Sequence, residues 1–208
     1  MAEDIDFATL PNRFVIKATD GGGGQNVLIC RDKSKLDITS SIDRINSWLN
    51  HKSGNVGREW AYTGIKKSRI IVEEYLENDL HPEAGLEDYK FFCFDGKPYC
   101  VVNDCDRYIG HKRNFYDLDW KNLGISSDCP TFEGRGSKPA GLDQMIEVAT
   151  ELTKGFPFVR MDLYYANGKV YFGEFTFYPW SGYVKFHPAE FDYKLGDLFD
   201  ISSFHKTA

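Results

Sequence analysis

The stretch from Val159 to Gly182, "VRMDLYYANGKVYFGEFTFYPWSG", puts Arg160 and Asp162 on one apolar run and Glu174 and Thr176 on the next. Alternation gives Val159, Met161 and Leu163 to one face of the first strand and Arg160 and Asp162 to the other. On the second strand it sets Tyr171, Gly173, Phe175 and Phe177 against Glu174 and Thr176. If both apolar faces cover one core, the two carboxylates converge on the opposite side. Convergent carboxylates repel unless a cation joins them, and Mg²⁺ is commonly held by one or two carboxylates plus substrate phosphates. That chemistry points to a nucleotide. Taken alone, the two strands fit better an ordinary sheet face on which Arg160 pairs with Asp162 or Glu174.

The connection between the strands bears on this choice. Asn167-Gly168 is the signature of a two-residue type I′ turn, which would pair Asp162 with Gly173 and send Glu174 to the opposite face. Convergence therefore demands a bulged or odd-length turn, and that is the expectation.

Two further segments carry suitable groups. In "KATDGGGGQ", Gly22, Gly23 and Gly24 let backbone N–H groups approach an anion closely, and Lys17 adds a point charge at the edge; the segment lacks the GK[ST] ending of a P-loop. "RIIVEEYL" ends in Glu73, Glu74, Tyr75 and Leu76, a strand end that offers backbone groups to an adenine edge and a carboxylate to ribose hydroxyls.

The elements that must position these groups follow from periodicity. "RFVIK" and "QNVLIC" read as strands joined by the glycine tip, "DITSSIDRINSWLN" as a helix with Ile42, Ile45, Trp48 and Leu49 on one face, and "RIIVEEYL" as a third strand. Together they make a small α+β lobe within residues 1–80. The polar, Gly- and Pro-containing "NDLHPEAGLE" is the junction to a second lobe, residues 81–208. There "YKFFCFDGKPYCVV" reads as a hairpin turning at Asp95-Gly96, residues 106–138 as a long loop, and "KPAGLDQMIEVATELTKG" as a helix that Gly155 stops.

Composition narrows the classes. The 208 residues carry a formal charge of −6 with no basic run, which argues against nucleic acid and against a polybasic membrane patch. No apolar run approaches a membrane span, and "MAEDIDFATLP" has no signal-peptide pattern, so the expected compartment is the cytoplasm. Five cysteines without CxxC spacing read as reduced core residues.

Taken in order, "IDFATLPNRFVIKATDGGGGQNVL", "RIIVEEYL", "DYKFFCFDGKP", "FYDLDW" and "FVRMDLYYANGKVYFGEFTFYPWSG" resemble the ATP-grasp superfamily and, closely, its TupA-like branch, over nearly the whole chain. The resemblance implies an α+β fold of two lobes with antiparallel sheets enclosing a nucleotide cleft, with ATP and Mg²⁺ as cofactors. It implies Lys17 on the phosphates beneath the glycine lid, adenine near Glu74 to Leu76, and a ribose contact from Glu87 or Asp88. Arg160 would stabilise the transferring phosphate, Asp162 and Glu174 would bind Mg²⁺, and Lys90 and Arg107 would clamp phosphate or carboxylate. Thr176 stands where many such ligases have Asn, a hydroxyl in place of an amide ligand. The implied reaction is ATP-dependent ligation of a carboxylate substrate to an amine acceptor through an acyl phosphate, with a surface polymer or polysaccharide as the suggested acceptor. Such enzymes also carry an N-terminal domain with another phosphate-binding lysine, and this chain begins at its edge, so weak nucleotide binding is expected of it. Two other classes stay open: a carbohydrate-processing or sugar-binding protein using Tyr178, Trp180 and Tyr183 as stacking rings, and a truncated, inactive ATP-binding module.

The lysine beside the glycine tip gives a first test. Lys17→Ala is expected to slow ATP turnover by roughly 10² to 10³ with an unchanged melting temperature; turnover at the wild-type rate would remove Lys17 from the phosphates.

Overall fold

The structure, a computed structural model, describes residues 2–21, 24–50, 64, 67–78, 85–106, 109–133 and 137–202. The chain divides into two compact units, Met1–Leu76 and Glu77–Ala208. Both are α+β, each built on an antiparallel sheet.

The first unit holds strands β1 (Phe14–Ala18), β2 (Val27–Cys30) and β3 (Ile70–Glu74) in the order β2-β1-β3, and helix α1 (Ile38–Asn50). On β1 every second residue, Phe14, Ile16 and Ala18, is buried against Ile45 and Trp48 of α1. The intervening residues, Val15 and Lys17, pair with Ile29 and Val27 on one side and with Glu73 and Ile71 on the other. Paired residues share a face, so this second face is apolar except for Lys17 and Glu73.

The second unit is a five-stranded sheet, β6-β5-β4-β7-β8. Its strands are β4 (Asp88–Phe94), β5 (Lys97–Cys105), β6 (Lys112–Tyr116), β7 (Val159–Ala166) and β8 (Lys169–Thr176). Helix α2 (Leu142–Leu152) lays Leu142, Met145 and Ala149 on a core built from Phe91, Val101, Val159, Met161 and Leu163. Past its end, Gly155 takes φ 80°, the left-handed conformation that stops a helix. The central strand β4 is buried along its whole length, and its other face sends Phe92 and Phe94 into a second core with Val102, Phe115, Phe186 and Phe191. Phe191 comes from helix α3 (Glu190–Leu198). All five cysteines are buried free thiols.

Two elements fall outside the sequence reading. Strand β6 lies within the expected loop at 106–138: "KRNFY" looks too polar for a buried strand, but Arg113 and Asn114 are buried because other residues satisfy them. Asn114 donates to the carbonyl of Phe132 at 2.9 Å, and Arg113 donates to Asp104 at 2.6 Å. Helix α3, "EFDYKLGDL", buries only Phe191 and carries Gly196, so its apolar stripe is too thin to announce a helix. Most of the expected junction, residues 79–84, lies outside the described residues.

The β7–β8 hairpin corrects one expectation while meeting its purpose. The turn is a regular two-residue one, with Ala166 paired to Lys169 and positive φ at Asn167 (51°) and Gly168 (71°), as type I′ requires. Pairing proceeds to Leu163↔Phe172, and then the register shifts: Asp162 faces Glu174 and Arg160 faces Thr176, leaving Gly173 as the extra residue of a bulge. The irregularity is thus inside the ladder and not in the turn. It also changes the assignment of faces. Phe172, opposite Leu163, joins Phe175 on the helix side, and their rings lie 5.0 Å apart, whereas Tyr171 pairs with Tyr164 on the opposite side. Alternation read straight through Gly173 misplaced Tyr171 because a bulge resets the phase.

Gly173 is where the backbone closes most tightly. A Cβ there would stand 2.9 Å from the Asp162 carbonyl oxygen and 3.0 Å from the Tyr164 ring. Gly173→Ala is therefore expected to destabilise the chain by about 1 to 3 kcal/mol in urea unfolding, and wild-type stability would show that the bulge tolerates a side chain.

Candidate active site

One face of the five-stranded sheet carries a band of charge that runs across every strand. Lys90 on β4 lies opposite Asp162 on β7, and its Nζ donates to Asp162 Oδ2 at 2.6 Å. The same ammonium is 3.2 Å from Asp88 and 4.0 Å from Asp104. Arg160 closes on Asp162 with two parallel bonds, Nε to Oδ1 at 2.7 Å and Nη2 to Oδ2 at 2.8 Å. Its Nη2 also donates to Glu174 Oε1 at 3.2 Å and to Thr176 Oγ1 at 2.8 Å. Arg160, Asp162, Glu174 and Thr176 therefore do gather on one face, which the bulge makes possible.

Burial sets the electrostatics. Asp162 is 2 % and Lys90 3 % exposed. Loss of water pushes the Asp162 carboxyl up, but Lys90 and Arg160 outweigh it and hold the group below the usual carboxylate range. Arg160 is shifted the same way in favour of its ion pair: burial opposes its charge, and Asp162 and Glu174 more than restore it. Glu174 goes in the other direction, raised by burial and by the nearby Asp162 charge against the pull of Arg160. Among the described residues the band sets five carboxylates (Asp88, Asp104, Asp128, Asp162, Glu174) against three cations (Lys90, Arg113, Arg160).

These residues suit Mg²⁺ in a particular way. Among the described residues no three His, Cys, Asp or Glu side chains form a metal cage. Asp162 and Glu174 are instead two adjacent carboxylates, the number Mg²⁺ takes when phosphate oxygens and water complete its shell. Both Asp162 oxygens already accept from cations, while Glu174 Oε1 accepts from Arg160 and Thr176. The donor set fits an ion that arrives with its phosphates.

The remaining sequence-assigned residues have the following places. Glu87 accepts from the Tyr89 hydroxyl at 2.8 Å and from Asn103 at 3.5 Å. Asp88 is buried beside Lys90. In the first unit Lys17 Nζ is 2.5 Å from Glu73 Oε2 on the apolar sheet face. Glu73, Glu74 and Tyr75, with Leu10 to Phe14, line a concavity of 610 Å³, and the Arg13 guanidinium sits 5.3 Å from the Tyr75 ring. Leu76 ends that unit, and Gly24 has φ 79° with open space where a Cβ would be. Gly22, Gly23 and Arg107 lie outside the described residues.

Sequence reasoning missed the far end of the band. Arg113 donates to Asp104 through Nε at 2.6 Å and Nη2 at 3.3 Å, and through Nη1 to Asp128 at 2.5 Å; His111 Nε2 is 3.3 Å from Asp104. The signal available was an arginine two residues before a buried phenylalanine in a segment read as loop. It also missed the contact of Trp180 with two arginines, the ring lying 4.7 Å from the Arg113 Cζ and 5.7 Å from the Arg160 Cζ. Of the three rings proposed to stack on sugar, Trp180 is therefore turned onto the band, while Tyr178 and Tyr183 are exposed.

With this geometry established, comparison places the chain. The family model described as TupA-like ATPgrasp matches residues 1–200. The chain is a member of the TupA-like ATP-grasp family. Among solved structures it is similar to D-alanine–D-alanine ligase from Bacillus anthracis, at 20% identity and TM-score 0.45, over 79% of this chain and 43% of that one. The ATP complex of that ligase gives 16% identity and TM-score 0.46, over 82% and 43%. The ATP-grasp ligase PsnB complexed with minimal precursor gives 12% identity and TM-score 0.40, over 79% and 40%. The chain thus spans less than half the length of these proteins. No curated protein sequence matches it.

Asp104 gives a pH test. Burial raises its carboxyl, but Arg113, then Lys90 and His111, leave it below its ordinary value. A depressed carboxylate contributes stability that is complete above the unfolded pKa of about 3.9 and is lost as pH falls through the lower folded value. Urea midpoints from pH 7 to pH 3 are expected to fall less in Asp104→Asn than in wild type. Breaking the buried pair is expected to cost about 3 to 5 kcal/mol at pH 7. Parallel profiles would exclude the linkage.

Proposed function

We propose that the chain is the nucleotide-handling part of an ATP-dependent carboxylate–amine ligase. The observation that carries this reading is the pairing of Asp162 with Glu174 across the bulge, with one guanidinium, Arg160, bonded to both carboxylates and to Thr176. Membership of the TupA-like ATP-grasp family supports it.

In this mechanism the substrate carboxylate attacks the γ-phosphorus of ATP, ADP leaves, and an amine displaces phosphate from the resulting acyl phosphate with loss of a proton. Mg²⁺, held by Asp162 and Glu174 with Thr176 alongside, would supply neutralising charge to the phosphates. Arg160 is already fixed by its bidentate contact, so it meets developing phosphoryl charge without having to be reorganised. Lys90 keeps Asp162 ionised. Lys17 is assigned to a phosphate, which exchanges its Glu73 partner for the ligand. Glu87, oriented by Tyr89 and Asn103, is assigned to ribose, with backbone near Glu74 to Leu76 for adenine. No covalent intermediate on the protein is needed, because alignment and charge neutralisation do the work.

The acceptor suggested by the family resemblance is an acidic surface polymer, built where ATP is supplied, in the cytoplasm. No helix among the described residues is long and apolar enough to cross a membrane.

Thermal-shift titration tests the reading. Mg-ATP and Mg-ADP at 100 times their dissociation constants are expected to stabilise the chain by about 2.7 kcal/mol, with the effect reduced by EDTA. Stabilisation by a nucleotide sugar but by neither adenine nucleotide would sink the ligase assignment in favour of a sugar-handling protein. Nucleotide binding without turnover in the presence of candidate carboxylates and amines would leave an inactive binding module.

A further inference from the structure

The face of the sheet that bears the charge band is divided. On β4 it passes from Asp88 and Lys90 to Phe92 and Phe94, and on the neighbouring β5 from Asp104 to Val102 and Cys100. Trp180 stands on that boundary. Its ring packs against Phe92 and Phe186 of the apolar half, at centroid distances of 6.1 and 6.4 Å, and presents itself to Arg113 and Arg160 of the charged half. The two arginines come from β6 and β7, strands separated by β5 and β4, so one ring on this face serves guanidiniums that reach it from strands flanking the central pair.

The backbone that delivers the ring is unusual. Trp180 (φ 50°, ψ 29°) and Ser181 (φ 56°, ψ 21°) are both left-handed, and Gly182 follows at φ 72°. A bulky residue rarely adopts this conformation unless its surroundings impose it, and such residues gather at functional sites. Here the turn is held by Ser181 N–H to the Tyr178 carbonyl and Tyr183 N–H to the Trp180 carbonyl, at 2.9 and 3.1 Å, and by the docking of the indole itself. The turn begins at Pro179, three residues beyond Thr176, which ties the ring's position to the strand that carries Glu174.

We propose that Trp180 is a positioning residue for Arg160. The carboxylate partners Asp162 and Glu174 restrain the guanidinium within the band, and the indole supplies a π surface that limits its swing toward β4. A guanidinium shared among carboxylates alone would follow them whenever a cation drew them away; the ring gives it a support that does not change charge. Arg113, anchored by Asp104 and Asp128, lies over the same ring, its Cζ 4.7 Å from the centroid. The part of the inference that concerns nucleotide rests on the ligase reading; the part that concerns the free protein does not.

Two measurements test it, on wild type, Trp180→Leu and Trp180→Phe. In the ligand-free protein, the Nε–H resonances of Arg160 and Arg113, assigned through Arg160→Lys and Arg113→Lys, are expected to show ring-current displacement and restricted motion. Trp180→Leu is expected to abolish the displacement and increase Arg160 motion, and Trp180→Phe to retain most of both. An Arg160 signal as immobile in Trp180→Leu as in wild type overturns the proposal, whatever the melting temperatures do.

The second measurement is the ratio of dissociation constants for Mg-ADP and a non-hydrolysable Mg-ATP analogue. Trp180→Leu is expected to reduce the preference for the triphosphate roughly threefold to tenfold, the range for a partly desolvated cation–π contact. It should have no further effect in an Arg160→Lys background. An equal loss in both backgrounds would mean that the ring acts independently of Arg160, and the inference falls. If wild type itself shows no preference while the resonances behave as stated, the assignment of Arg160 to the transferring phosphate fails and the positioning role stands; binding of neither adenine nucleotide would defeat the ligase reading itself.

Discussion

A carboxylate that is 2 % exposed can stay ionised only if opposite charge reaches it through fixed geometry, and Asp162 has two such partners, a guanidinium in bidentate contact and an ammonium opposite it on the next strand. The rest of the second unit is organised around that requirement. The antiparallel pairing of β4 with β7 sets Lys90 against Asp162, and the bulge in β8 delivers Glu174 to the same side. The helix-side core under Met161 and Leu163 fixes which way Asp162 must point. Because neighbouring residues on a strand alternate, the buried charge and the apolar core are two consequences of one register.

The charge is also not evenly matched. Asp162 takes both Lys90 and the bidentate face of Arg160, Asp104 and Asp128 take Arg113, and Glu174 shares a single nitrogen of Arg160 with Thr176. Glu174 is also the more open carboxylate of the pair, with 58 % of its side chain accessible against 3 % for Asp162.

Much of this was legible before any coordinates. The strands of both sheets apart from β6, helices α1 and α2, and the shared face of Arg160, Asp162, Glu174 and Thr176 follow from periods of 2 and 3.6 in the sequence. What stayed hidden was whatever departs from those periods or hides polarity by pairing it. The bulge at Gly173 is one residue out of phase, so Tyr171 and Phe172 exchange faces relative to simple alternation. Strand β6 looks like loop because Arg113 and Asn114 are buried by virtue of partners 9 and 18 residues away in sequence, Asp104 and Phe132. Trp180 looked like one ring among several, since nothing local foretells that a left-handed turn will bring it against two arginines.

The bulge also separates the hairpin into two parts with different obligations. Outboard of Gly173, the pairs Leu163↔Phe172 to Ala166↔Lys169 answer to the Asn167-Gly168 turn; inboard, Asp162↔Glu174 and Arg160↔Thr176 answer to the charges. The turn by itself would set Asp162 against Gly173, so it is the extra residue, and not the turn, that decides which side chain the buried carboxylate meets across the strand pair.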